Sequence, residues 1–269
     1  MAISVADMME EVRRKRPLVH HITNYVTVND CANVCICAGG SPVMTDEAKD
    51  LSEMVALSSA VVLNIGTLNE RTVESMTIAG REANRNDVPV VLDPVGAGAT
   101  SYRTSAARLL LDRVEVSVIK GNSGEIGVLA GIGGKVRGVD SVSGSDGMEA
   151  AVSALAERTG AVVAATGKTD YVSDGRTVSV MDNGSDMLET VSGTGCMVSS
   201  VIGCYVGACG TSVESVSAAI SVFNIAAEKA VEGGKVFGPG SFKTKLLDSV
   251  YGLTKDDVDG SIRMELRKV

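Results

Sequence analysis

Residues 89–94 read Pro89-Val90-Val91-Leu92-Asp93-Pro94, an unbroken apolar run that stops at a carboxylate and a proline. Alternating polarity would mark a strand with one wet face. A continuous run marks a strand covered on both faces, as in a parallel sheet. Pro94 has no N–H to give to a ladder and stops it. The same texture recurs at Leu18–His20, Pro42–Met44, Ala60–Ile65, Ser117–Lys120 and Ala161–Thr166, with Pro89–Asp93 in the middle of the series. Helix-length amphipathic stretches fall between them, at Asp46–Ser58, Asn69–Asn86 and Thr104–Asp112. Ser4 and Asp7 have the spacing of a capping box for an N-terminal helix. This alternation predicts a layered α/β domain with a mostly parallel central sheet and right-handed crossovers.

The texture changes at Asp170–Met181, where Asp174-Gly175 separates two β-rich segments, a hairpin signal. An antiparallel hairpin near one edge of the sheet is expected there. Two long helices with few charges follow at Gly195–Cys209 and Ser212–Val231, and Lys243–Tyr251 reads as a terminal helix. Residues 190–213 carry no charge, but Gly, Ser and Thr dilute their apolarity, so a buried central helix is expected rather than a membrane span. No linker, repeat or low-complexity tract interrupts the chain, and residues 1–269 read as a single domain.

Composition narrows the function classes. With 25 Lys plus Arg against 33 Asp plus Glu, the net charge is −8, which argues against nucleic acid or an anionic membrane as partner. Thirty Gly, no Trp, three Phe and five Tyr indicate an aliphatic core threaded with tight turns. Six Cys over 269 residues are no disulfide framework. The first seventeen residues, with Asp7, Glu10, Glu11, Arg13, Arg14, Lys15 and Arg16, hold no apolar stretch of secretory type, so a cytoplasmic protein is expected. A chain of this length buries roughly three quarters of its extended surface and needs no staples.

In an open parallel sheet, ligands gather beyond the carboxyl ends of the strands. Four such ends carry chemistry. Asp93 closes one strand; Lys120-Gly121-Asn122-Ser123-Gly124-Glu125 follows another; Thr166-Gly167-Lys168 follows a third; and Gly193-Thr194-Gly195-Cys196 opens the long uncharged helix. A glycine-led helix start offers free N–H groups and the positive end of a dipole to an anion. Asp93 and Glu125 are hard oxygen ligands suited to Mg²⁺, directly or through water. Lys120 and Thr166 suit nucleotide phosphates. Together these are the parts of phosphoryl transfer, whose catalysis is mostly positioning and charge stabilisation.

Each part also has a plainer reading. Gly193-Thr194-Gly195 serves equally as a packing turn, Asp93 as a helix cap, and Asn122 with Glu125 as a cap through an Asx turn. Gly167-Lys168-Thr169 imitates a Walker A ending but has Val162 at the first Gly position, and Gly96-Ala97-Gly98 lacks its third Gly at Ser101, so neither motif is present. His20 and His21, adjacent on a strand, point to opposite faces; packing and hydrogen bonding suit them better than catalysis. Cys31, Cys35, Cys37, Cys204 and Cys209 read as core thiols, and Met8, Met9 and Met54 as packing residues. The run Asp256-Asp257-Val258-Asp259 reads as a solvated turn.

The combination resembles the hydroxyethylthiazole kinases, the thiamin-salvage branch of the ribokinase-like fold. The resemblance runs in order from Pro17 to Val231, through residues 17–26 (Pro-Leu-Val-His-His-Ile-Thr-Asn-Tyr-Val), 40–44 (Gly-Ser-Pro-Val-Met), 63–68 (Leu-Asn-Ile-Gly-Thr-Leu), 92–97, 119–122, 166–168 and 193–196. His20-His21-Ile22-Thr23-Asn24 and Ser41-Pro42-Val43-Met44 separate this branch from general sugar kinases. The resemblance implies a three-layer α/β/α fold and transfer of the ATP γ-phosphoryl to the primary alcohol of 4-methyl-5-(2-hydroxyethyl)thiazole, with Mg²⁺ as cofactor. It implies that Met44, Asn24 and Gly66 line the thiazole pocket, with Gly193 cradling the transferring phosphoryl and the hydroxyl. Lys120 and Thr166 would bind ATP phosphates, and Asp93 and Glu125 would organise Mg²⁺. A homotrimer with sites shared between subunits is implied, with the segment Asn24–Met44 facing another subunit's site.

Two departures stand out. Lys120 occupies a position more often Arg in the family, keeping the charge but losing the planar fork. Cys196 stands where general ribokinase-like enzymes place an Asp base; a thiol with a usual pKa near 8.5 replaces it poorly, so Cys196 is expected to position the hydroxyl and tune the rate. Two other functions fit less well. A kinase for hydroxymethylpyrimidine or another small alcohol is disfavoured by Met44 and Asn24, and a non-catalytic binding protein has no need of Asp93, Glu125, Lys120 and Thr166 together.

Overall fold

The computed structural model describes residues 4–131 and 145–269. The apolar runs form strands β1 (Leu18–Ile22), β2 (Ser41–Met44), β3 (Ala60–Asn64), β4 (Val90–Asp93), β5 (Val118–Asn122) and β6 (Val162–Thr166). They lie parallel in the order β2-β1-β3-β4-β5-β6. Between them run α1 (Val5–Lys15, before β1), α2 (Val28–Cys37), α3 (Leu51–Leu57), α4 (Glu70–Arg85), α5 (Ser101–Arg113), α6 (Ser123–Ala130) and α7 (Ser145–Thr159). The hairpin strands β7 (Asp170–Ser173) and β8 (Thr177–Met181) extend the sheet antiparallel, as their Asp-Gly turn predicts.

Both faces of the sheet are covered because the central strands put apolar residues on both sides. Ala60 and Val62 of β3 join a core with α8 (Thr194–Cys209), α9 (Val213–Val231) and α10 (Pro239–Gly252), together with α1 and α2. Val61 and Leu63 join the opposite core with α3, α4, α5, α6 and α7. The result is the expected three-layer α/β/α arrangement. The uncharged stretch becomes α8, which lies in that first core and buries most of its residues. No helix among the described residues is long and apolar enough to cross a membrane.

The C-terminal end departs from the sequence reading. The acidic run is not a turn: it forms α11 (Lys255–Ser261), with Thr254 and Asp257 in a capping box and Asp257 paired to Lys229 of α9. A ninth strand, β9 (Met264–Lys268), then pairs antiparallel with β8 from Met181↔Met264 to Thr177↔Lys268. Its side chains are mostly exposed, so no apolar run announced it. The expected hairpin is therefore three antiparallel strands. The stretch Asp46–Ser58 is helical only from Leu51, because Asp46 is held outside the helix: its carbonyl accepts from Ser75 and its carboxylate pairs with Arg71. Ser4 caps α1 by accepting from the Asp7 N–H at 3.1 Å.

The order β2-β1-β3 creates a switch point. From β1 the chain crosses outward to the edge strand β2, then returns to the other side of β1 as β3. The connecting helices leave opposite faces, α2 in one core and α4 after β3 in the other. The crevice of such a sheet opens outside the carboxyl ends at that point.

Candidate active site

At the switch point the first residues past β1 and β3 meet. Asn64 ends β3, in register with Asp93 at the end of β4. Its Nδ2 donates to Asp93 Oδ2 at 2.8 Å and to Cys196 Sγ at 3.3 Å, while its Oδ1 accepts from Asn24 Nδ2 at 3.0 Å and from the Gly66 N–H at 2.9 Å. Asn24 Nδ2 also donates to Cys196 Sγ at 3.3 Å. Ser199, nearly a full turn beyond Cys196 on α8, adds its hydroxyl to Asp93 Oδ2 at 2.7 Å. One hydrogen-bonded cluster thus joins Asn24, Gly66, Asp93 and Cys196, four residues singled out from sequence. Asn64 at its centre and Ser199 were not. A polar residue closing an apolar strand was the signal for Asp93, and Asn64 carries the same signal.

Asn24 bonds to Cys196 of its own chain. Its Oδ1 is fixed by the Thr27 N–H at 3.0 Å and the Thr27 hydroxyl at 2.9 Å. Thr27 in turn presses on Gly193, where a Cβ would come within 2.2 Å of Thr27 Cγ2. Gly193 has φ +92°, which L side chains rarely adopt. As N-cap of α8 it brings no side chain to the first turn. The intrahelical ladder starts with Met197 N–H to Gly193 O at 2.9 Å, so the N–H groups of Thr194, Gly195 and Cys196 precede it.

Lys120, near the end of β5, is buried and reaches this same helix start, donating from Nζ to Gly195 O at 2.9 Å. Gly195 keeps that approach open, since a Cβ there would lie 3.1 Å from Nζ. Thr166 ends β6 opposite Asn122 and donates its hydroxyl to Gly121 O at 3.3 Å. The Gly167 turn beyond it is held by Asp170 Oδ1 at 2.9 Å. Glu125 lies in α6 as half of a capping box: Oε2 accepts from the Asn122 N–H at 2.8 Å and Asn122 Oδ1 from the Glu125 N–H at 2.9 Å. Its Oε1 accepts from the Gly96 N–H at 2.7 Å, tying it to the loop after Asp93. Met44 ends the edge strand β2, beside His21 in register, and takes no part in the network.

Burial governs the electrostatics. It pushes the carboxyls of Asp93 and Glu125 up from their ordinary range, opposed at Asp93 by Lys120 and at Glu125 by its two backbone N–H partners. Burial, with the Asp93 charge, also pushes the Cys196 thiol up. Among the described residues no group of three His, Cys, Asp or Glu could hold a metal by protein ligands alone. Mg²⁺ does not ask for such a cage; it keeps several waters and takes one or two carboxylates together with substrate phosphates. Asp93 suits that role, because its two hydrogen bonds fall on Oδ2 and leave Oδ1 without a partner among the described residues.

The remaining sequence candidates have structural partners. His20 shares its Nε2 with Thr45 O at 2.9 Å, and His21 bonds Val19 O through Nδ1 and the Ser200 hydroxyl through Nε2 at 3.1 Å. Cys35 and Cys204 are buried with their sulfurs 3.4 Å apart.

The sheet order and its helical layers define a protein of the ribokinase-like fold class. A ribokinase-like superfamily protein from Enterococcus faecalis shares the fold, with TM-score 0.65 at 11% identity over 93% of this chain and 95% of its own. The model of the hydroxyethylthiazole kinase family matches residues 9–256. A hydroxyethylthiazole kinase of Methanocella arvoryzae is 52% identical over 263 residues, 98% of each chain. The structure of hydroxyethylthiazole kinase protein from Pyrococcus horikoshii superposes with TM-score 0.89 at 40% identity, covering 98% of both chains. The chain belongs to the hydroxyethylthiazole kinase family, and it is a phosphotransferase.

Proposed function

We propose that this chain, working as one kinase domain in the cytoplasm, transfers the γ-phosphoryl of ATP to the primary alcohol of 4-methyl-5-(2-hydroxyethyl)thiazole. The observation that carries the reading is the single hydrogen-bonded cluster joining Asn24, Asn64, Asp93 and Cys196, beside a helix start that Lys120 touches.

The alcohol oxygen attacks the γ-phosphorus, the bond from that phosphorus to the β-bridging oxygen breaks, ADP leaves, and the hydroxyl proton passes to solvent. Such transfers are loose, with charge spread over the phosphoryl oxygens, so positioned donors matter more than a strong base. The N–H groups of Thr194, Gly195 and Cys196 receive those oxygens with the positive end of the α8 dipole. Lys120 and Thr166 hold the nucleotide phosphates. Cys196 Sγ accepts from two amides, which leaves its S–H to hold the alcohol oxygen in line. Asn24, Gly66 and Met44 enclose the heterocycle. Asp93 would hold Mg²⁺ directly and Glu125 through water; bound there, the ion would neutralise phosphate charge.

A homotrimer with sites near subunit contacts is part of this proposal. Tyr25 and Val26, next to Asn24, are 78% and 62% exposed, an apolar pair that a neighbouring subunit would cover. Light scattering on the purified protein reads the assembly. A coupled assay for ADP tests the reaction: thiazole-dependent release is expected, and its absence at millimolar alcohol refutes the proposal.

A further inference from the structure

We infer that Arg103 is a positioning residue for the alcohol, clamping the loops after β3 and β4 into one floor for its pocket. Arg103 touches neither the proposed catalytic thiol nor the carboxylates. Its Nη1 donates to Ile65 O at 3.0 Å and to Val95 O at 2.9 Å, and its Nη2 to Gly66 O at 2.9 Å. Two of these carbonyls follow β3 and the third follows Asp93 of β4, so one guanidinium spans both loops.

The Gly66 peptide is thereby gripped from both ends, its N–H by Asn64 and the next carbonyl by Arg103. Gly66 has no room to shift inward, because a Cβ there would stand 2.9 Å from Asn24 Cβ. The Val95 end is packed as closely: at Gly96, with φ +78°, a Cβ would lie 2.9 Å from Arg103 Cδ. A planar fork spreads its donors over separate nitrogens at fixed angles and so spans two loops; an ammonium gathers its three donors on one atom.

Placement supports the assignment. Arg103 is the third residue of α5, and its N–H is capped by Thr100 at 3.2 Å. A cation in the first turn opposes the helix dipole, so Arg103 does not serve α5. It makes no salt bridge among the described residues; its partners are the loop carbonyls. Sequence periodicity holds no trace of this, since an arginine in an exposed first turn reads as a solvated charge.

The identity of the alcohol rests on the proposed function; the clamp does not. Arg103→Ala and Arg103→Lys are compared with wild type for KM of the thiazole alcohol, KM of ATP and kcat, with and without millimolar guanidinium. Removing the clamp is expected to raise the alcohol KM about tenfold, the equivalent of one lost hydrogen bond. The ATP KM is expected to change less than about twofold, because Lys120 and Thr166 lie on strands Arg103 does not touch. Guanidinium is expected to restore Arg103→Ala, and lysine to restore little. Parallel rises in both KM values, or an unchanged alcohol KM, overturn the inference. Amide exchange at Gly66 and Gly96, followed without substrate, is expected to quicken in Arg103→Ala; unchanged exchange also overturns it. If wild type itself turns over no thiazole alcohol, the functional reading has failed while exchange still judges the clamp.

Discussion

A sulfur that already accepts two amide hydrogens has little left to offer as a base. Cys196 is in that position between Asn24 and Asn64, and burial raises its thiol further from ionisation. A general base is worth about 10²- to 10⁴-fold in rate. If Cys196 only holds the alcohol, Cys196→Ala is expected to lower kcat by about tenfold or less. A loss of a thousandfold with both substrates still bound would make the thiol a base after all. Gly193 offers a second test at this scale. Gly193→Ala must place a methyl 2.2 Å from Thr27 Cγ2 at φ +92°. Activity is expected to collapse and stability to fall by at least about 1–2 kcal/mol, the cost of the left-handed backbone alone. Adding Thr27→Ser removes the 2.2 Å contact but leaves Thr27 Cβ at 3.0 Å and the backbone cost, so partial recovery is expected in a denaturation series.

Element by element, Glu125 does two jobs that substitution can separate. It caps α6 together with Asn122 and fastens the Gly96 loop beside Asp93. Asn122→Ala removes the cap alone and is expected to cost about 1 kcal/mol of stability while leaving the Mg²⁺ requirement unchanged. Glu125→Gln keeps the shape but loses the charge, and is expected to raise the half-saturating Mg²⁺ concentration severalfold. Equal Mg²⁺ titrations for the two variants would reduce Glu125 to a cap, the plainer reading of its sequence spacing. Legibility also divides by element. The parallel strands were readable because burial on both faces writes an unbroken apolar run, and the candidate site residues Asp93, Lys120 and Thr166 were readable because they interrupt such runs. The edge strand β9, Met-Glu-Leu-Arg-Lys, is wet along most of its length and writes no pattern. Helix α3 starts at Leu51, after a non-helical segment in which the Asp46 carbonyl takes a tertiary bond from Ser75, which no local propensity encodes. Asn64 had a visible signal, a polar end to an apolar strand; Arg103 had none, since its partners are carbonyls from distant loops.

For the whole molecule, His21 and Asp170 tilt acid stability in opposite directions, with His20 on the side of His21 and Asp93 and Glu125 on the side of Asp170. Burial lowers the His21 imidazole from 6.5 to about 4, and its Nδ1 and Nε2 bonds to Val19 O and Ser200 Oγ suit the neutral ring. Its contribution is complete above 6.5 and drains away as pH falls towards 4, because the unfolded chain takes up the proton first. That interval is worth about 3 kcal/mol. Asp170 runs the other way. Burial raises its carboxyl from 3.8 to about 7, opposed by the Gly167 N–H and the Asn224 amide. Its contribution is complete below 3.8 and is lost as pH rises through 7. Between pH 4 and 6.5 the two slopes oppose, so a flat wild-type profile would conceal both. Urea denaturation at several pH values separates them. His21→Gln is expected to lose less stability than wild type between pH 6.5 and 4. Asp170→Asn keeps an acceptor for Gly167, Asn224 can turn its amide to match, and the variant is expected to gain on wild type as pH rises through 7. Parallel profiles for a variant and wild type would mean that its residue titrates alike in the folded and unfolded chains.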